Sequence, residues 1–219
     1  VMSVVPCPPV IVAPDGTVVA LWQDIGDMRK TADGANAHVA ISTDDGRSFS
    51  AEQAAISNDA VCPCCQLTVA FGGDALFLGY RKLYADGRDS TVARSTDAGR
   101  TFASEARLPL GKWKIDGCPL KPTELAVDGP RVYAASYTGG AEPAGVYFSR
   151  STDGGRTFSG SGLVHPGAPY SDAPEMTVGP DGLLRIVWQA KTGGPRRLYT
   201  AQSGDQGAAL SAPVEIPTP

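Results

Sequence analysis

The sequence predicts an all-β fold made of four copies of one unit of about 53 residues. An eight-residue segment, called the box below, occupies residues 42–49 and recurs at residues 95–102 and 151–158, with a degenerate copy at residues 203–210. The 26 glycines and 18 prolines among 219 residues argue against a helix bundle or a coiled coil, because they interrupt long helices. Hydrophobic residues make up 42% of the chain, which is enough for a packed core.

Every copy of the box sits at the same place in a pattern of predicted strands. An alternating apolar run broken by Asp-Gly or a similar turn predicts a β-hairpin. A third strand leads into the box, and a weaker fourth strand follows it. The hairpins cover residues 10–22, 67–80, 125–137 and 176–188, and the third strands cover residues 38–41, 91–94, 146–149 and 198–200.

Repeated four-stranded antiparallel sheets of this length are typical of a β-propeller, in which each blade buries its faces against its neighbours. We therefore predict a single domain over residues 1–219, a propeller of four blades formed by repeats at approximately residues 5–60, 61–116, 117–170 and 171–219. Part of a larger, six-bladed propeller and a β-sandwich are the alternatives. The net charge of −4 argues against a nucleic-acid partner, and no apolar run approaches the roughly 20 residues of a transmembrane helix.

The box has the composition of a tight turn. Its aspartate precedes a glycine by two positions, so the carboxylate can fold back onto backbone N–H groups while the glycine takes a positive φ. A Ser or Thr hydroxyl completes the same network, and the closing Phe anchors the turn between units. A catalytic residue is needed only once, whereas this aspartate is present in every copy. We therefore predict a structural role for Asp44, Asp97, Asp153 and Asp205.

The three complete boxes, Ser-Thr-Asp-Asp-Gly-Arg-Ser-Phe, Ser-Thr-Asp-Ala-Gly-Arg-Thr-Phe and Ser-Thr-Asp-Gly-Gly-Arg-Thr-Phe, resemble the Asp-box (BNR) repeats of the sialidase superfamily. The resemblance implies a propeller fold and a secreted or periplasmic protein, although several unrelated functions share this repeat. Sialidases of that superfamily use an arginine triad, an Asp acid/base and a Tyr activated by a Glu. Their first arginine normally lies in an Arg-Ile-Pro or Arg-Leu-Pro stretch before the first box, whereas Arg107-Leu108-Pro109 follows the second box. No sialidase catalytic residue is therefore carried over to this chain.

All five cysteines fall in one kind of segment, the crossover that enters the first strand of a unit. The crossovers share one face, called the crossover face, with the predicted long loops at residues 24–37 and 81–90. The hairpin turns and boxes lie on the opposite face, called the box face. Disulfides between neighbouring units are the favoured interpretation, with pairings such as Cys7 with Cys64 or Cys65 and Cys62 with Cys118. A thiolate site for Zn²⁺ or Cu(I) and inert buried thiols are the alternatives.

Several charged residues near the crossover face are weaker candidates. Arg81 is the best remaining arginine for binding an anion, although an exposed loop charge is the favoured interpretation. Near the starts of inner strands, a pair of carboxylates could serve glycoside hydrolysis. The acidic residues at those positions are Glu124, Asp172 and Glu175.

Two further groups of residues could bind a metal ion. An acidic loop is a candidate Ca²⁺ site, although a solvated loop is the better interpretation because the oxygen ligands lack tight alternation. Its carboxylates are Asp24, Asp27 and Asp33. The histidines, His38 and His165, are expected to be surface or capping residues, with His165 a weaker candidate to approach the thiols.

We expect an extracytoplasmic, non-catalytic module for binding or assembly, whose partner is another protein subunit or a glycan. The alternatives are an exo-acting, sialidase-like glycoside hydrolase and a propeller that binds Zn or Cu through its cysteines. Residues 1–6 lack a charged region and a long apolar region, so they do not form a complete signal peptide. Secretion is inferred from the resemblance and from the placement of the cysteines.

Overall fold

The computed structural model describes residues 8–24, 34–168 and 170–217, and within these ranges the chain forms sixteen strands and no helix. The all-β prediction is therefore confirmed. No helix in the described ranges is long and apolar enough to cross a membrane. The strands are β1 (Val10–Val12), β2 (Val18–Asp24), β3 (Ala35–Ser42), β4 (Gln53–Val61), β5 (Thr68–Gly72), β6 (Ala75–Tyr84), β7 (Gly87–Ser95), β8 (Ser104–Arg107), β9 (Thr123–Asp128), β10 (Arg131–Thr138), β11 (Gly145–Ser151), β12 (Ser159–Leu163), β13 (Asp172–Val178), β14 (Leu184–Ala190), β15 (Arg197–Ser203) and β16 (Val214–Glu215).

The strands pair in four consecutive antiparallel groups, called units 1 to 4. Unit 1 contains β1–β4, unit 2 contains β5–β8, unit 3 contains β9–β12 and unit 4 contains β13–β16. Units 1 and 2 also share one sheet, because Val61 of β4 pairs with Lys82 of β6. The four predicted hairpins are confirmed as β1–β2, β5–β6, β9–β10 and β13–β14.

The hairpin of unit 1 shows why the chain turns where it does. Gly16 has a φ of 86°, a conformation that glycine adopts without the steric cost of a Cβ atom. The N–H of Thr17 donates to the carboxylate of Asp15 at 3.0 Å, which lowers the pKa of that carboxyl group. The Asp-Gly pair therefore stabilises the turn through both its backbone and its side chain.

The hydrophobic core has three parts, and each lies between consecutive units. Side chains alternate between the two faces of a strand. Leu76 and Leu78 of β6 are therefore buried against unit 1, whereas Ala75 and Phe77 of the same strand are buried against unit 3. Strand β10 contributes alternate residues to the interface of unit 3 with unit 2 and to its interface with unit 4 in the same way. Units 2 and 3 are thus covered on both faces.

Units 1 and 4 each have one face that is less well covered. In β14 buried residues alternate with half-buried ones, among them Val187. In β1, Val10 and Val12 are 60% and 61% exposed. No buried cluster joins unit 4 to unit 1 in the described part of the chain. The three interfaces that do exist position the crossovers of units 2, 3 and 4 side by side.

Candidate functional site

Four cysteines converge at the crossovers that enter units 2 and 3; they are Cys62, Cys64, Cys65 and Cys118. The N–H of Cys62 donates to the carbonyl of Arg81 at 2.8 Å. The side-chain amide of Gln23 donates to the carbonyls of Cys62 and Cys65 at 2.8 and 2.9 Å. These hydrogen bonds hold the loop between β4 and β5, and the four Sγ atoms all lie within 4.8 Å of one another.

A disulfide joins Cys64 to Cys118, with the two Cα atoms 6.2 Å apart. It connects the crossovers of units 2 and 3, so the prediction of a bridge between neighbouring units is confirmed. The predicted pairing of Cys62 with Cys118 is wrong, since Cys62 and Cys65 are free thiols. Cys62 is fully buried, whereas Cys64, which makes the bridge, is partly exposed. The predicted pairing of Cys7 with Cys64 is also wrong, because Cys64 is bonded to Cys118. Cys7 itself lies outside the described residues.

The two free thiols form a hydrogen bond with each other. Their Sγ atoms are 3.1 Å apart and both side chains are buried. The hydrogen bond from Cys65 lowers the pKa of Cys62 to about 6 against the opposing effect of burial, and the charges of Arg88 and Arg81 assist. The same hydrogen bond, together with burial, raises the pKa of Cys65. Cys62 is therefore the more acidic thiol of the pair.

Arg81 lies beside the thiols and is not the exposed loop charge that the sequence favours. Strand β6 extends beyond the predicted hairpin, so the Arg81 side chain is only 1% exposed. Its guanidinium donates to the carbonyls of Arg88 and Tyr137 at 2.9 and 2.8 Å and to Ser136 Oγ at 3.3 Å. It also lies 5.1 Å from the ring of Trp113. Burial lowers the pKa of Arg81. The guanidinium of Arg81 therefore donates to groups within the protein, and these contacts organise the crossover face.

No sequence pattern singles out Asp89, a second buried charge on this face. The predicted loop over residues 81–90 is wrong, because β6 and β7 run through most of it. Asp89 is 2% exposed and accepts from Arg107 Nε and from the N–H of Trp113, both at 2.9 Å. The N–H of Arg88 in turn donates to the Trp113 carbonyl at 2.9 Å. The segment that carries Trp113 is thereby tied to β7. Because Asp89 falls within the predicted loop, its charge does not stand out in the sequence.

A cavity of about 260 Å³ opens between the crossovers of units 3 and 4. Its lining combines aromatic rings with charges, and these residues are Trp113, Tyr137, Tyr170, Lys121, Asp172 and Arg196. The ammonium of Lys121 pairs with the Asp172 carboxylate and lies 5.1 Å from the Tyr137 ring. Arg196 Nη1 is 3.9 Å from the same carboxylate. Asp172 therefore faces two cations, which leaves an excess of positive charge. A larger cavity of about 720 Å³ shares Ile115 with this one and is lined by the turn between β6 and β7.

The inner strands β9 and β13 carry two further carboxyl groups, those of Glu124 and Glu175. Burial, with a smaller contribution from the charge of Glu175, raises the pKa of Glu124 to about 7. Glu175 itself is exposed. Glu124 can therefore carry and release a proton near neutral pH, which is a requirement for a general acid or base.

The remaining metal-ligand candidates lie away from the thiols or outside the described residues. His165 Nδ1 accepts a hydrogen bond from Trp188 Nε1 at 3.2 Å, and burial lowers the pKa of His165. His38 Nε2 lies 3.9 Å from Asp24. The other two carboxylates of the acidic loop, Asp27 and Asp33, fall outside the described residues.

On the box face, the four aspartates accept closely similar hydrogen bonds. In unit 3, Ser151 Oγ donates to Asp153 Oδ1 at 2.7 Å, and Gly155 N–H donates to Ser151 Oγ at 2.9 Å. The N–H and hydroxyl of Thr157 donate to the two carboxylate oxygens at 3.0 and 2.6 Å. Burial opposes the effect, but these bonds lower the pKa of Asp153 to about 2. The same pattern surrounds Asp44 and Asp97 and, without the second hydroxyl, Asp205.

Neither a protein-family model nor any curated protein matches the sequence. Solved structures share the fold at low identity. A protein of unknown function from Dyadobacter fermentans is 16% identical, with a TM-score of 0.68 over 96% of this chain and 68% of that one. A PL25 ulvan lyase, a polysaccharide lyase, is 14% identical, with a TM-score of 0.54 over 95% of this chain and 56% of the lyase.

A sialidase from Trypanosoma rangeli is 16% identical, with a TM-score of 0.59 over 95% of this chain and 37% of the sialidase. The chain thus spans little more than half of the lyase and little more than a third of the sialidase. These likenesses establish a fold of the sialidase-like β-propeller type, and at such identity they establish the fold alone.

Proposed function

We propose that the protein is a non-catalytic Asp-box propeller that binds an acidic carbohydrate in the cavity between the crossovers of units 3 and 4. The observation that carries this proposal is the cavity lining, in which three aromatic rings and two cations surround one carboxylate. Aromatic rings offer flat apolar surfaces for sugar rings, and a few placed polar groups fix the orientation of a ligand. Lys and Arg pair with carboxylate or sulfate groups through charge-assisted hydrogen bonds.

The ligands of two structural relatives support an acidic sugar. The ulvan lyase was solved bound to a GlcA(1-4)Rha3S unit, and the sialidase in complex with 2,3-difluorosialic acid. The uronate, the sulfate ester and the sialic acid each present a negative charge. In the proposed complex this charge pairs with Arg196, the more exposed cation of the lining, whose side chain is 53% exposed.

We further propose that the four units are consecutive blades of a larger, six-bladed propeller rather than a closed four-bladed ring. The less covered faces of units 1 and 4 support this arrangement, as does the 68% coverage of the Dyadobacter protein. An extracytoplasmic location is supported by the Cys64–Cys118 disulfide, since such bonds persist in oxidising compartments.

The binding proposal is tested by calorimetric titration with three oligosaccharides of matched length, one uronate- and sulfate-bearing, one sialylated and one neutral. We expect at least one acidic glycan to bind and the neutral glycan to bind at least about tenfold more weakly, because it lacks a charge-assisted pair. Arg196→Ala should weaken binding by about tenfold for the same reason. Arg47→Ala is the matched control, since its side chain is 77% exposed on the box face. Equal binding of the neutral glycan, or an equal loss in the control, contradicts the proposal.

A second candidate function is cleavage of a glycan at the inner strands β9 and β13, where the pKa of Glu124 is raised by burial and by the charge of Glu175. A carboxyl group still protonated near neutral pH can donate a proton to a leaving group. We expect product formation to fall as the pH rises above about 7 and to be lost in Glu124→Gln. Glu52→Gln is the control, because its side chain is 66% exposed. A glycan that binds and stays intact with the unsubstituted chain leaves binding as the function.

A further inference from the structure

On the crossover face, the sulfur of Cys62 lies near the other three cysteine sulfurs at separations close to those between ligands of a single metal ion. Cys62 Sγ lies 3.9 Å from Cys64 Sγ, 3.7 Å from Cys118 Sγ and 3.1 Å from Cys65 Sγ. A tetrahedral site with Zn–S bonds of about 2.3 Å places neighbouring sulfurs roughly 3.8 Å apart. Two of these three separations already match this value, and the third needs an adjustment of less than about 1 Å. The sulfurs of Cys64 and Cys118 are bonded to each other in the oxidised form and must separate on reduction.

Arg81 supplies an independent reason to expect negative charge at this position. It is a buried cation, and no carboxylate in the described part of the chain forms an ion pair with it. Asp89 is the carboxylate whose charge acts on Arg81, but it forms its ion pair with Arg107. A buried charge is stable only when it is compensated. The four cysteine sulfurs lie on the same face as this cation, and a metal–thiolate cluster there would supply the compensating negative charge.

We propose that Cys62, Cys64, Cys65 and Cys118 together bind one thiophilic metal ion, Zn²⁺ by geometry, when the Cys64–Cys118 disulfide is reduced. The oxidised form has only two thiols, too few for a closed tetrahedral site. A dithiol reductant transfers two electrons and two protons to the disulfide sulfurs and is itself oxidised to a disulfide. The metal ion then displaces the thiol protons as it binds the four sulfurs.

The surroundings of the four cysteines also suit a metal site. Four thiolates and Zn²⁺ carry a net charge of about −2, and the charges of Arg81 and Arg88 act on Cys62 from within the protein. The Gln23 amide holds two of the cysteine carbonyls from unit 1, which makes Gln23 a positioning residue. The metal would link the crossovers of units 2 and 3, as the disulfide does in the oxidised form. This inference is independent of the proposed binding of glycans.

The first test uses the unsubstituted full chain in two redox forms. One sample is reduced with dithiothreitol, which is then removed by anaerobic gel filtration, and the other is left oxidised. Both are titrated with Co²⁺ as a spectroscopic probe and then with Zn²⁺. We expect about one equivalent of metal in the reduced form, with thiolate-to-cobalt charge transfer and tetrahedral d–d absorption that Zn²⁺ abolishes. The oxidised form should show neither band.

Three outcomes of this titration overturn the proposal. They are a reduced chain that binds no Co²⁺, an octahedral cobalt spectrum, and an oxidised chain that binds as tightly as the reduced one. Because the comparison needs no substitution, it stays decisive even if a cysteine variant fails to fold.

Variants then test which cysteines form the site. Cys118→Ser should weaken binding by at least about tenfold and reduce the charge-transfer intensity, because one thiolate is lost. Cys7→Ser is the matched control and should leave both unchanged, whereas loss of the site in this variant contradicts the four-cysteine assignment. Gln23→Leu should weaken binding by about 10–100-fold with the stoichiometry unchanged. Circular dichroism confirms that each variant is folded before titration.

Discussion

The boxes of units 1 and 3 share nearly the same sequence and hydrogen bonds but have different surroundings. Gly155 is buried, and a Cβ atom added there would lie 2.8 Å from the ring of Phe77 in unit 2. Gly46 is exposed, and a Cβ atom at that position would meet nothing within 4 Å. The closing phenylalanines of the two boxes differ in the same way. Phe158 packs against the core between units 2 and 3, whereas Phe49 is 47% exposed.

The boxes of units 2 and 4 behave like that of unit 3. Phe102 packs against the core between units 1 and 2, and Leu210 packs against the core between units 3 and 4. A box therefore serves as an anchor on the preceding unit. The eight residues of the box determine its internal hydrogen bonds, but the neighbouring sheet determines whether its Gly and Phe are buried. Unit 1 carries this anchor without a preceding unit among the described residues, which fits a larger propeller.

The largest expected difference between the two boxes concerns their glycines. Gly155→Ala and Gly46→Ala place alanine at nearly the same φ, 77° and 78°. Each should lose about 1–2 kcal/mol of the free energy of unfolding through the left-handed conformation. Gly155→Ala should lose about 1–3 kcal/mol more, because its methyl group collides with Phe77. Urea unfolding measures the loss for each variant. Equal losses would show that contact with the preceding unit does not make Gly155 more sensitive to substitution than Gly46.

The closing aromatic residues should show the next largest difference. Phe158→Ala should lower the free energy of unfolding by about 2 kcal/mol, somewhat less than a fully buried phenylalanine, because Phe158 is only half-buried. Phe49→Ala should change it by no more than about 0.5 kcal/mol, as expected for an exposed site. The measurement is again urea unfolding. A cost for Phe49→Ala as large as that for Phe158→Ala would indicate that another surface covers Phe49 in solution.

The features that the sequence predicts are those governed by nearby residues. The Asp15-Gly16 turn and the hydrogen bonds of Asp153 involve residues at most four positions apart. The alternation that places Leu76 and Phe77 on opposite faces is likewise visible within one strand. Local rules therefore suffice for the strands, the hairpins and the box, and repetition makes the pattern easy to recognise.

The candidate site depends on residues that are distant in sequence, and here prediction was only partial. The Ser136 and Tyr137 groups that accept from Arg81 lie 55 and 56 residues further along the chain. The disulfide closes over a separation of 54 residues. Aligning the repeats places the cysteines on one face, but it selects Cys62 as the partner of Cys118, whereas the structure joins Cys64 to Cys118. The directions in which the Cys62 and Cys64 side chains point depend on the conformation of the loop between β4 and β5, which Gln23 holds.

The aspartates in the boxes of units 1 and 3 should have similar pKa values despite the different surroundings of the two boxes. Hydrogen bonds from Ser48 lower the pKa of Asp44 to about 2, the same value as for Asp153. Because the folded-state pKa lies below the unfolded value, these groups stabilise the fold above about pH 4, and the contribution is lost as the pH falls toward 2. NMR titration of the carboxyl carbons measures both values, with the urea-unfolded chain as control. A clearly higher pKa for Asp44 would show that the covered face contributes to the shift.

The smallest expected effect concerns the degenerate box of unit 4. Asp205 accepts from the N–H of Ala209 at 3.0 Å, but alanine has no hydroxyl where Thr157 of unit 3 donates at 2.6 Å. Ala209→Thr should therefore raise the free energy of unfolding by about 0.5–1 kcal/mol and lower the pKa of Asp205 further, since Ala209 is exposed and has room for the hydroxyl. Thr157→Ala should cause a loss of similar size. Matching changes of opposite sign would show that the hydrogen bonds of a box are independent of its unit, whereas a gain in only one unit would tie them to the neighbouring sheet.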